Sequence, residues 1–159
     1  RISWHYLNLG LGYMTLGNLE DAEPYFKKAI DTTDDESQLP RAMAVANLGY
    51  CRLEQRNYEG ALELFEAAET IFRELKAEDF RNFSMIAGWR GRTFHEQGEI
   101  QNAILHYQKA LQYAREIDDY KQLFLVCKDL AGLYAEQKEY KKIGYYMVLK
   151  PMRRILINF

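Results

Sequence analysis

The chain has 159 residues, 48% hydrophobic and 28% charged, with a formal net charge of −2 and a pI near 6.0. This suits one compact domain or a short repeat array with a real core, and it excludes a disordered tail, a dedicated nucleic-acid binder and, with ten Gly and three Pro, a turn-rich all-β domain. No apolar run approaches the roughly 20 residues that a membrane span needs, and no signal peptide opens the chain.

Read from Arg1, the chain is already inside a helical pattern, as a segment of a longer polypeptide would be. "LNLGLGYMTLG" and then "LEDAEPYFKKAI" carry apolar residues at three- and four-residue spacing, which predicts two amphipathic helices. The pattern then returns. Tyr6, Leu9, Gly10, Tyr13, Gly17, Ala22, Phe26 and Ala29 align without internal gaps on Val45, Leu48, Gly49, Ala61, Phe65 and Ala68. A third segment follows with Ala87, Gly91, Phe94, Gly98, Ala103, Tyr107 and Ala110, and a fourth with Cys127, Leu130, Ala131, Tyr134, Ile143 and Met147. Successive spacings are 39, 42 and 40 residues in every column. The expected array is one domain, 1–159, with units at about 3–36, 37–78, 79–119 and 120–150, and an irregular or capping tail at 151–159.

Within each unit a short turn separates the helices: Gly17-Asn18, Arg56-Asn57, Gly98-Glu99 and Lys138-Glu139. The first residue of each pair is expected in the left-handed conformation that ends a helix, which suits Gly and strains Arg56 and Lys138 by roughly 1 kcal/mol. Asn can cap the helix that follows. Small residues at Gly10, Gly49, Gly91 and Ala131 in the first helices, and at Ala22, Ala61 and Ala103 in the second, let paired helices approach closely. The aromatics Phe26, Phe65 and Tyr107 fill the space beside them. The fourth unit departs from this pattern, with Ile143 and Lys150 in small-residue columns and Pro151 interrupting its last helix. Ile155, Leu156, Ile157 and Phe159 in the tail need cover, from a partner chain, a dimer mate or the tail folding back.

These columns resemble the tetratricopeptide repeat over about residues 4–150. The resemblance implies an all-α, right-handed α-solenoid of about four helix-turn-helix repeats. Units near 40 residues are longer than the usual 34, as in bacterial peptide-sensing regulators and kinesin-light-chain-like arrays. The resemblance also implies a concave face lined by the first helix of each unit. Carried over column by column, that face would include Trp4, Asn8, Met43, Asn47, Tyr50, Met85, Trp89, Arg92, His95 and Lys128, with Glu96, Leu125, Asp129 and Glu136 beside them. Trp4, Tyr50 and Trp89 are suited to anchor an apolar ligand group, and Met43 and Met85 to adapt to it. Asn8 and Asn47 can pair with a peptide backbone, and Arg92 and Lys128 with a carboxylate. Each has a plainer reading: tryptophans and methionines as packing, asparagines bonded within the array, Arg92 paired with Glu96. Leu7 and Leu11 stand where the carboxylate clamp of chaperone-binding members needs Asn and Lys, so an acidic chaperone tail is not the expected ligand.

No phosphate loop, dinucleotide fingerprint or paired-cysteine metal spacing occurs, and "HEQGE" at 95–99 lacks the second His of a zinc-protease helix. No catalytic activity, cofactor or metal is expected. Cys51 and Cys127 fall in apolar patterns and read as buried thiols of a cytoplasmic protein. Residues 1–80 carry 8 Lys/Arg and 15 Asp/Glu, and residues 81–159 carry 13 and 8. That asymmetry can orient a partner. The expected function is non-enzymatic binding of a protein or peptide on the concave face, without nucleic-acid or membrane contact. Two alternatives stand beside it: the sensor module of a larger bacterial signalling protein or transcription regulator, and a scaffold that self-associates through its apolar C-terminal end. The packing columns make one direct prediction. Ala61→Leu overpacks the contact between paired helices and lowers stability by about 1–3 kcal/mol, read as a shift in the urea unfolding midpoint.

Overall fold

A computed structural model describes residues 2–33, 38–75 and 80–146. The described residues form helices joined by short turns, with no strand among them. In chain order these are α1 (Ile2–Thr15), α2 (Leu19–Asp31), α3 (Leu39–Glu54), α4 (Tyr58–Glu74), α5 (Phe80–Glu96), α6 (Ile100–Glu116), α7 (Tyr120–Glu136) and α8 (Tyr140–Gly144). The fold is the expected all-α class of consecutive helix-turn-helix hairpins. The chain divides into two compact units, residues 1–79 and 80–159. In the first, α3 packs against both α1 and α2; in the second, α7 packs against both α5 and α6. Pro151 and the apolar tail 151–159, with Met147 and Lys150, lie outside the described residues.

The turns follow from a backbone device repeated five times. Gly17, Arg56, Gly98, Asp118 and Lys138 have φ of 76°, 59°, 79°, 52° and 58°. The next residue donates its N–H back to the carbonyl five residues earlier, as Asn18 does to Tyr13, Asn57 to Arg52 and Glu139 to Tyr134, each at 2.9 Å. This closes the otherwise unpaired carbonyls of the helix end. Asn18, Asn57 and Asp119 then cap the following helix, their Oδ1 atoms accepting from the N–H of Asp21, Gly60 and Gln122 at 3.2, 3.1 and 3.0 Å. Glu99 and Glu139 stand at the same position without a side-chain cap bond.

In each of the first three hairpins the core is a glycine seated beneath a ring. A Cβ built on Gly10 would stand 2.5 Å from Phe26; the corresponding distances are 2.7 Å for Gly49 against Phe65 and 2.6 Å for Gly91 against Tyr107. No real side chain survives such an approach, so these columns require glycine for space, not for backbone freedom. Ala22, Ala29, Ala61, Ala68, Ala103 and Ala110 are fully buried around the rings. Cys51 and Cys127 are buried free thiols, and desolvation pushes Cys51 up to about 11.

The first unit is also tied by charge. Arg52 on α3 meets Glu23 on α2 with both terminal nitrogens, Nη1 to Oε2 and Nη2 to Oε1, each at 2.8 Å. Gln55 and Lys27 complete the carboxylate's shell at 3.0 and 2.7 Å. Both ends are shielded, the Glu23 side chain being 15% exposed and that of Arg52 22%. The Arg52 hydrogen bonds hold the Glu23 carboxyl at about 2, overcoming the upward push of burial. Because the folded value lies below the unfolded one, this stabilisation is complete above the unfolded carboxyl range and is lost as pH falls toward 2. Glu23→Gln is therefore expected to cost about 1–3 kcal/mol at neutral pH, with the difference from the parent chain shrinking below about pH 4. Paired urea titrations across pH check this, and a pH-independent difference would contradict it.

Candidate functional site: a charged groove in the second unit

Three residues of α5 and four of α7 open onto one groove of about 590 Å³ within the second unit. Arg92, His95 and Glu96 fall at three- and four-residue spacing on α5, and Lys128, Asp129, Gly132 and Glu136 on one side of α7. Tyr107 of α6 also lines it. Its ring covers Gly91, one residue before Arg92, so the packing contact of this hairpin also places a wall of the groove.

One ion pair and one histidine–carboxylate contact organise the rim. Arg92 Nε donates to Glu96 Oε1 at 2.8 Å, along α5. His95 Nε2 lies 2.7 Å from Glu136 Oε2, a contact that bridges α5 and α7. Asp129 is open to water but walled by protein on several sides. Desolvation pushes its carboxyl above the ordinary range, against the downward pull of Arg92, Lys128 and His95. Tyr107 is 1% exposed, and its phenol is pushed far up by burial first and by the Asp129 charge next, so it is neutral at any physiological pH.

Of the ten residues expected on the binding face, Arg92, His95 and Lys128 meet here. Met85 and Trp89 are half-buried on the same helix, α5, two turns and one turn before Arg92 respectively. The other five belong to the first unit. Asn8 is exposed and Tyr50 half-buried. Trp4 and Met43 pack against the core formed by Leu7, Phe26 and Leu48. Asn47 is 2% exposed, and its Nδ2 donates to the Met43 carbonyl at 2.7 Å, so its amide N–H is spent inside α3. Arg92 takes the plainer of its two expected readings and pairs with Glu96.

Two lining residues escaped the sequence reading, Tyr107 and Gly132. Each left a signal. Tyr107 is the only hydroxyl in a column otherwise held by Phe26, Phe65 and Met147. Gly132 falls in a column filled by Leu11, Tyr50 and Arg92 in the other units, and its missing side chain keeps the groove open.

Among the described residues no group of three or more His, Cys, Asp or Glu is placed to hold a metal ion. No helix among them is long and apolar enough to cross a membrane. His106 is packed on Phe94, with its Nδ1 2.9 Å from the Asn102 carbonyl.

Hairpins repeated in register, glycine-on-ring cores and an open groove between α5 and α7 define a helical-repeat protein. A tetratricopeptide repeat model matches residues 1–74, and a second model of the same description matches residues 87–117, so most of the chain is covered. The chain belongs to the tetratricopeptide repeat superfamily, whose members generally mediate protein–protein interactions and are typically non-catalytic. Among curated proteins none matches it.

Tyr107 supplies a stability prediction that separates its ring from its hydroxyl. Tyr107→Phe keeps the ring on Gly91 and is expected to shift stability by less than about 0.5 kcal/mol, because no hydrogen bond to the hydroxyl exists among the described residues. Tyr107→Ala empties the site and is expected to cost about 3–5 kcal/mol. Urea midpoints of the two variants check both values.

Proposed function

We propose that this chain is a non-enzymatic protein-binding module whose second unit takes a segment of a partner protein in the groove between α5 and α7. The observation that carries the reading is the groove itself: a space of about 590 Å³ lined almost wholly by polar side chains from the columns that the family resemblance assigns to ligand contact. Such a volume is the size of a ligand pocket, and its lining offers donors and acceptors of both charges. Trp89 and Met85, earlier on α5, extend the face with apolar area. Asn47 has no part in this reading, since its amide is buried and bonded to its own helix. The two buried free thiols suit a reducing compartment such as the cytoplasm.

Gly132 allows a direct test. It is exposed, and a Cβ there would meet nothing within 4 Å. Gly132→Leu therefore fills the groove without disturbing the core, and leucine gains about 0.5–1 kcal/mol over glycine in a helix. Random peptides displayed on phage and selected on the parent chain are expected to include binders that Gly132→Leu abolishes while its circular dichroism and urea midpoint are retained. A set of binders that are all indifferent to Gly132→Leu would refute the groove.

A further inference from the structure

The charges of the groove are unequally matched. Glu96 has Arg92 at 2.8 Å, and Glu136 has His95 at 2.7 Å. Asp129 has no such partner: among the described residues no side chain lies within hydrogen-bond or ion-pair distance of its carboxyl. Tyr107 is the second unmatched group. It is 1% exposed and reaches the groove, yet its hydroxyl makes no hydrogen bond among the described residues. A hydroxyl on the wall of an open groove can bond to water or to a ligand there. A carboxylate and a neutral phenol facing one space together offer acceptors for a donor that carries positive charge.

The balance of the lining favours the same sign. Three carboxylates face the groove against two permanent cations, and one of those, Arg92, is already engaged by Glu96. Lys128 is exposed on α7, where its long stem can swing its head into water. An anionic ligand group would stand beside three carboxylates, whereas a cationic one would complete Asp129. Leu125, one turn before Asp129 on α7 and 44% exposed, offers apolar surface for a methylene stem.

The geometry points to Asp129 and Tyr107 as a subsite for one basic side chain, lysine or arginine, of the bound protein segment. The subsite rests on the groove being a peptide site, as proposed above. Asp129 ion-pairs with the incoming cation, the Tyr107 hydroxyl accepts one of its N–H groups, and the existing pairs on either side hold α5 and α7 apart around it.

The probes are the phage-selected peptides whose binding is lost on Gly132→Leu. They are expected to share a lysine or arginine whose replacement by glutamate weakens binding by roughly tenfold or more. Asp129→Lys is expected to invert that preference. Asp129→Asn should reduce it without inversion, and Tyr107→Phe should weaken the same peptides by about three- to tenfold. Circular dichroism and the urea midpoint of each variant separate lost binding from lost folding. Groove-dependent peptides that tolerate the basic-to-glutamate exchange, or that prefer glutamate, overturn the basic subsite and leave the groove standing. A selection with no groove-dependent peptide overturns both.

Discussion

The contact between a bare glycine and an aromatic ring sets the geometry of the first three hairpins. Gly10 lies beneath Phe26, Gly49 beneath Phe65 and Gly91 beneath Tyr107, each so close that a methyl group would be driven into the ring. Close approach brings the two helices into dispersion contact along their length, and the buried alanines on either side keep that approach uniform. It also fixes how each helix is rotated about its axis. With Gly91 pressed on Tyr107, the neighbouring stripe of Arg92, His95 and Glu96 is turned toward α7. The position of a surface feature is thus decided by a contact in the core.

Successive hairpins are joined by different chemistry in the two units. In the first, Glu23 of α2 and Arg52 of α3 form a shielded, two-pronged ion pair. The repeat spacings carry those two columns to Ile104 and Tyr134 in the second unit, where both belong to the apolar core between α6 and α7. The repeat fixes where hairpins touch but not by what force. A buried ion pair is sensitive to pH, while an apolar contact is not. The joint between α2 and α3 is therefore exposed to acid, whereas the apolar contact between α6 and α7 is not.

Much of this fold was legible because the repeat magnifies weak signals. A lone Gly17-Asn18 is an ordinary turn, but four such pairs in register marked left-handed residues even at Arg56 and Lys138, where the side chain argues against one. The fifth, Asp118, was not read, because it lies between hairpins and has no counterpart in the aligned columns; Asp-Asp supplies there both the left-handed residue and the cap. The candidate site was less legible, since a column fixes direction and not partnership. Asn8 and Asn47 share one column, yet one is exposed and the other buried with its amide bonded to Met43. The difference is made by what packs around each helix, which no single helix records.

Tyr107 and Gly132 show what such columns conceal. Packing at position 107 asks only for a large ring, and Phe26 and Phe65 meet that demand without an oxygen. A hydroxyl that reaches the groove and makes no hydrogen bond among the described residues adds nothing to the contact of its ring with Gly91. Stability of the hairpin therefore does not account for tyrosine. At position 132 a helix interior disfavours glycine by about 0.8–1.0 kcal/mol against alanine, and no neighbour crowds the missing side chain. Stability does not account for glycine either. Both departures from the best-packing residue line the same groove, one supplying a polar group to it and the other leaving it open. Two residues that packing of the hairpins does not ask for thus meet in one groove.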